Sequence, residues 1–221
     1  MKLGVAVAIV VGVACARDGN AQTAGSRRPV VRDDTASVTR LIASVRGSNP
    51  FLCELATRSV DTHGWWSRWG LAEGSPLDRD SAAAAMVAWI QRQHNDPAVV
   101  PPLRAALRDA DACVRRVAGS FLGRVDHPNA AAALLEALTD ANEDTRVIAA
   151  LGLGLSENES ATQPLIAALR DNSAAVRRSA AWALGSLEAR PAHDALIALL
   201  EKDSDPRVRQ AAAWAIGRLY D

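Results

Sequence analysis

The chain has 221 residues, with 25 Lys plus Arg against 25 Asp plus Glu and a formal net charge of +0. That length allows one extended domain or two small ones, and the charge balance excludes a global field drawing the protein to nucleic acid or anionic lipid. Alanine and leucine are abundant and β-branched runs are rare, which favours helices over strands.

In chain order, Met1-Lys2 opens an apolar run from Leu3 to Ala16, after which Arg17-Asp18-Gly19-Asn20 changes the composition abruptly. A charged start, a short apolar core and small residues at its end match an export signal, and the run is too short for a comfortable membrane span. Residues 1–24 therefore read as a signal peptide or lipoprotein signal. Two processing routes stay open. Gly12-Val13-Ala14-Cys15 has the form of a lipobox, with Cys15 as the lipidation candidate, although Gly12 stands where Leu is usual. Ala14-Cys15-Ala16 also suits ordinary cleavage, which would release a soluble protein. Periplasm or cell envelope is the expected location, with membrane contact only through such an anchor. Residues 25–36 read as a flexible linker.

Residues 37–98 read as degenerate amino-terminal repeats of the unit found further on. Leu41, Val45, Leu52, Ala56 and Val60 fall in phase with it, and Ser81 to Gln93 makes a good second helix. Between them, Gly64, Gly70, Gly74 and Pro76 break any long helix around the group Trp65, Trp66 and Trp69. Two readings of that group remain: a contact loop for a ligand or surface, or a hydrophobic plug over an irregular seam, exposed Trp being costly.

Residues 99–221 carry four copies of a unit with a period of 31 residues. Pro102-Leu103-Arg104-Ala105-Ala106-Leu107-Arg108-Asp109 returns 62 residues later as Pro164-Leu165-Ile166-Ala167-Ala168-Leu169-Arg170-Asp171. Leu134, Leu138 and Asp140 keep phase between them, and Leu196 and Leu200 follow. A second block, Val114-Arg115-Arg116-Val117-Ala118, recurs as Val176-Arg177-Arg178-Ser179-Ala180 and Val208-Arg209-Gln210-Ala211-Ala212. Each second block ends in an aliphatic-Gly pair: Leu122-Gly123, Leu153-Gly154, Leu184-Gly185 and Ile216-Gly217. The final copy has one extra residue within Lys202 to Pro206. Leu at i and i+4 gives the first helix an apolar stripe. An Asp-rich turn caps the next helix, whose Val114, Ala118 and Leu122 share one arc. A lone hairpin of this size cannot bury its own face, so the copies must stack.

These blocks resemble HEAT repeats of the bacterial class named after phycobilisome lyases, over a little more than half of the chain. The resemblance implies an all-α, right-handed α-solenoid of about five to six helical hairpins, one of them degenerate. It also implies first helices on the convex side and second helices on the concave, binding side. Asp109, Asp140 and Asp171 would form a structural ladder with Arg115, Arg146, Arg177 and Arg209. Cys53 and Cys113 occupy equivalent positions two repeats apart, which points to separate, partly buried thiols, with a bridge as the alternative.

No catalytic constellation stands out. Deoxyhypusine hydroxylase, an enzyme similar in its repeats, uses His-Glu pairs for di-iron, but none of His63, His94, His127 and His193 precedes Glu. No Cys/His spacing suggests zinc, so neither metal nor cofactor is expected. Trp182 and Trp214 share one repeat position, roughly 130° from the buried stripe by wheel arithmetic, beside Arg116, Arg178 and Gln210. That row reads either as a concave binding surface or as packing on neighbouring repeats. The expectation is a non-catalytic scaffold of the bacterial envelope that binds a protein partner there, with self-association through the carboxyl-terminal repeat. Alternatives are an enzyme or subunit of bilin-lyase type, or a surface-binding protein using the Trp65, Trp66 and Trp69 loop.

Overall fold

The computed structural model describes residues 34–48, 53, 96–156 and 158–220. The candidate signal, Cys15, the Trp65, Trp66 and Trp69 loop and the helix expected over Ser81 to Gln93 lie outside them. All described regular structure is helical: α1 (Asp34–Val45), α2 (Val100–Ala106), α3 (Ala112–Leu122), α4 (Pro128–Ala137), α5 (Glu143–Leu155), α6 (Thr162–Ala168), α7 (Ala174–Ser186), α8 (His193–Lys202) and α9 (Pro206–Arg218). Short 3-10 turns at Pro97–Val99, Glu159–Ala161 and Arg190–Ala192 lead into α2, α6 and α8. No described helix is long and apolar enough to cross a membrane. The linker expected over residues 25–36 is corrected at its end, because α1 begins at Asp34.

From α2 onward the helices form four hairpins whose second members stack directly, α3 on α5, α5 on α7 and α7 on α9. The core is the expected pair of stripes. Leu103, Leu107, Leu134, Leu165 and Leu196 are fully buried on the first helices. Val114, Ala118, Val176, Ala180, Val208 and Ala212 are fully buried on the second. In the last hairpin Leu200 and Ile216 are only partly buried, so each stripe opens toward that end.

The aliphatic-Gly pairs set the spacing of the stack. A Cβ on Gly123 would stand 2.3 Å from the Gly152 carbonyl oxygen, and one on Gly154 would stand 2.7 Å from the Ala183 Cα. Side chains there would hold successive second helices apart.

The turn between the helices of each hairpin is tied by two carboxylate or polar caps and one arginine. Asp109, Asp140, Asp171 and Asp203 each accept from the backbone N–H two residues on. Asp111, Asn142, Ser173 and Asp205 then cap α3, α5, α7 and α9. Arg115, Arg146, Arg177 and Arg209 each donate to the carbonyl of the turn aspartate, at 2.8 to 2.9 Å. Two of them also clamp the next hairpin's aspartate through Nε and Nη2 together. Arg146 holds Asp171 at 2.9 and 3.1 Å, and Arg177 holds Asp203 at 2.7 and 3.0 Å.

The ladder implied by the family resemblance is therefore present, with Asp203 filling the position displaced by the extra residue. Arg177 beside it, the Asp205 N–H and nearby Arg209 hold the Asp203 carboxyl below its ordinary range against the opposing effect of burial. Arg115 departs from the pattern: it pairs with Asp144 at 2.8 Å, because Asp140 is taken by Arg108.

Two expectations about the amino-terminal part are corrected. Cys53 and Cys113 form a disulfide with Cα atoms 5.5 Å apart. Helix α1 packs directly against α2, α3 and the Pro97–Val99 turn, so elements two periods apart in sequence are neighbours in space. Arg46 clamps Asp109 through Nη1 and Nη2 at 2.9 and 2.6 Å, as Arg146 clamps Asp171 through Nε and Nη2. Counting periods along the chain counted a unit where α1 itself occupies the adjoining place. The bridge closes a sequence separation of 60 residues, worth about 4 kcal/mol by loop-closure entropy.

Reduction with dithiothreitol is expected to lower the thermal midpoint and expose the 34–53 segment to protease, while the 96–220 helices stay protected. Equal protease patterns with and without reductant would remove that role. For the ladder, Arg177→Ala leaves Asp203, with a side chain only 4% exposed, without its partner. Urea unfolding should show a loss on the order of 3 kcal/mol. Arg218→Ala, which breaks an exposed pair with Glu188, should cost under about 1 kcal/mol.

Candidate functional site

Stacking the second helices side by side turns equivalent positions into rows, and the rows facing away from the first helices line an open groove of ≈ 1010 Å³. All of its lining residues come from α3, α5, α7 and α9. Arg115 and Arg116 stand at the α3 end, then Asp144, Val147 and Leu151 on α5. Helix α7 contributes Arg178 and Trp182, and α9 contributes Arg207, Gln210 and Trp214. The row Arg116, Arg178, Gln210, Trp182 and Trp214 anticipated from the sequence is thus brought together on one surface. Trp65, Trp66 and Trp69 lie outside the described residues.

The two tryptophans are stacked, with ring centroids 6.3 Å apart and planes 8° from parallel. Each also rests on a glycine of the preceding hairpin. A Cβ on Gly154 would approach Trp182 Cζ3 to 2.9 Å, and one on Gly185 would approach Trp214 Cζ3 to 2.7 Å. One ring edge is therefore packed on the neighbouring repeat, while the rest faces the groove; Trp214 is 43% exposed. Leu151, at the same repeat position, is 37% exposed and continues the apolar row.

Four arginines and one aspartate line the groove. Arg115 is nearly buried and pairs with Asp144, which cancels that acid locally. Arg178 and Arg207 are exposed and form no ion pair with a described residue. Arg116 is exposed as well. The sequence analysis missed Arg207, which precedes Gln210 by three residues and Trp214 by seven. Those are same-face spacings on a helix, so extending the wheel back one turn would have found it.

The two described histidines have structural partners. His127 Nδ1 accepts from the Asn129 N–H and caps α4, and His193 contacts Asp194 and the edge of Tyr220. Among the described residues no three His, Cys, Asp or Glu side chains are grouped as metal ligands.

A family model described as HEAT repeats matches residues 70–150 and again 131–217. Among solved structures, the CpcE–CpcF complex of phycocyanin lyase from Nostoc sp. PCC7120 is similar at 22% identity with a TM-score of 0.54, covering 82% of this chain and 99% of that one. Human deoxyhypusine hydroxylase in complex with glycerol is similar at 20% identity and a TM-score of 0.48, covering 85% of this chain and 75% of that one. A designed armadillo repeat protein in complex with the peptide (KR)4 is similar at 18% identity and a TM-score of 0.43, covering 85% and 100%. No curated protein matches.

The glycine contact under Trp214 makes a paired test. Gly185→Ala places a methyl 2.7 Å from both Ala215 Cα and Trp214 Cζ3. It should destabilise by about 1–3 kcal/mol through overpacking and shift tryptophan emission. Gly217→Ala, with nothing within 4 Å of the new methyl, should be neutral or stabilising by up to about 1 kcal/mol from helix propensity. Equal effects in thermal melts would contradict the spacing role.

Proposed function

The chain belongs to the HEAT-repeat family, and on that premise we propose that it is a non-catalytic scaffold exported to the bacterial cell envelope, seating a protein partner in the second-helix groove. The observation that carries this reading is the groove itself: a stacked tryptophan pair with Leu151 beside it, flanked by exposed arginines. Tryptophan and arginine contribute large contact area and directional bonds for little ordering cost, which is why they anchor interfaces.

Export is supported by two independent features. The Met1 to Ala16 run has the layout of an export signal, and the Cys53–Cys113 bridge suits an oxidising compartment. Lipidation at Cys15 and release as a soluble protein are both compatible with that location. An enzyme-subunit role of lyase type is the alternative and rests on fold likeness to the CpcE–CpcF complex alone. The stacked tryptophans with Leu151 favour binding because aromatic side chains presented in this way anchor interfaces.

Self-association through the carboxyl-terminal repeat has a surface available to it. Gly154 and Gly185 are covered by the next hairpin, whereas nothing lies within 4 Å of a Cβ built on Gly217. Arg209 holds its own turn carbonyls but no acid among the described residues.

The test is a pull-down from an envelope extract with the chain lacking residues 1–24, run beside Trp182→Ala/Trp214→Ala and a second, differently tagged wild-type copy. A specific partner retained by the wild type should be lost from the double variant at unchanged helical circular dichroism. Capture that survives the substitutions would move binding off the groove. Recovery of the second copy would read out self-association.

A further inference from the structure

Three polar side chains are buried among the described residues: Arg115, Thr145 and Ser179. Arg115 holds its turn carbonyls and Asp144, and the Thr145 hydroxyl donates to the Leu107 carbonyl at 3.4 Å. Ser179 is only 4% exposed, yet it has no hydrogen-bond partner among the described residues. A serine inside a helix can return its hydroxyl to the carbonyl four residues back, and Ser179 does not. Its side chain lines the groove, so the hydroxyl opens there. Ile148 and Ala211 hold the same repeat position on α5 and α9, and an alanine at 179 would serve the stack equally well. A nearly buried hydroxyl without a partner is unfavourable, and a ligand acceptor reaching the groove floor removes that penalty.

The groups around Ser179 on α7 and α9 have a common polarity. Arg178 and Arg207 are exposed and present guanidinium N–H groups with no acceptor. Gln210 adds its amide, while Leu151, Trp182 and Trp214 supply the apolar row beside them. Asp144, the one carboxylate of the lining, is held by Arg115 at 2.8 Å. A matching ligand offers free carbonyls, few N–H groups and rigid apolar side chains. A regular helix uses its carbonyls internally, and an ordinary extended chain brings an N–H with every carbonyl. A polyproline II segment has no internal hydrogen bonds, and each proline in it removes one N–H.

We propose that the groove binds a proline-rich segment of its partner in the polyproline II conformation. Its rings lie on Leu151 and the Trp182–Trp214 pair, and one of its carbonyls accepts from the Ser179 hydroxyl. Arg178 and Gln210 donate to further carbonyls along the same path. This deepens the binding reading given above and rests on it. Two helix spacings separate α5 from α9, about 16–20 Å, which about six residues advancing 3.1 Å each would cover. Such a segment is already extended before it binds, so little ordering opposes association.

The experiment measures fluorescence anisotropy of labelled synthetic peptides of about nine residues against the chain lacking residues 1–24. One peptide repeats Ala-Pro-Pro, one repeats Ala-Gly-Ser, and one alternates glutamate with leucine. The proline peptide should bind at least about tenfold more tightly than the other two. Raising the salt should change its affinity by less than about twofold, since neutral carbonyls are not screened as ion pairs are. Ser179→Ala should weaken it by about three- to tenfold, the loss of one hydrogen bond, and leave the thermal midpoint unchanged or higher. A serine with a purely structural role would do the reverse, lowering the midpoint and leaving peptide affinity alone.

Equal affinity for the proline and glycine–serine peptides, tighter binding of the glutamate peptide, or indifference to Ser179→Ala would each overturn the proposal. The groove reading fails separately, when partner capture is indifferent to Trp182→Ala/Trp214→Ala. Capture lost with that double variant, beside no binding of the proline peptide, would sink the proline-rich assignment and leave the groove standing.

Discussion

The structure depends on how closely successive second helices approach. A hairpin of this length has too little apolar surface to be stable alone, so its stability comes from its neighbours. The approach is permitted by Gly123, Gly154 and Gly185, where an added Cβ would collide with the backbone of the next hairpin. It is then fixed in register by the arginine that reaches from one hairpin's turn to the next hairpin's aspartate, as Arg146 does to Asp171 and Arg177 to Asp203. Glycine sets the distance and the ion pair sets the phase. Groove, core and tryptophan stack all follow from those two restraints repeating.

The ladder also explains an irregularity. Arg108 holds Asp140 from the first-helix side, so Arg115 turns to Asp144 and keeps its Nε without an acceptor among the described residues. The rung is still made, but by a different pair, and Asp144 is thereby neutralised in the groove. At the other end of the described stack Arg46 makes a two-point contact with Asp109. Helix α1 is thus joined to the repeat array by the same kind of arginine–aspartate pair that joins the repeats to each other, and the disulfide reinforces that junction at Cys113.

Much of this was legible because the period is carried by chemically distinct residues. Leucine stripes, turn aspartates and the aliphatic-Gly pair each have their own reason to recur, and their agreement over 99–221 left little freedom in the fold. The tryptophan row was legible for the same reason, since Trp182 and Trp214 share a repeat position with Leu151. What sequence periodicity does not contain is spatial adjacency where the period weakens. Cys53 and Cys113 are 60 residues apart, close to two periods, which suggests two stacked units of separation, but α1 lies against α2 and α3 directly. Arg207 was missed because the same repeat position carries Asp144 and Ala175 in the preceding copies, so no row of like residues marks it.

The same economy accounts for the groove. A tryptophan at the Leu151 position rests one ring edge on the bare backbone of the preceding hairpin's glycine. The remaining ring surface is left facing outward, and the Trp182–Trp214 stack restricts its orientation. Packing and presentation are therefore the same act: the glycine that lets two hairpins approach also provides the seat that fixes an aromatic anchor on the surface. Preorganised anchors lose little freedom when a partner arrives, which makes a rigid repeat array with an aromatic and cationic second-helix face suited to gripping a flexible segment.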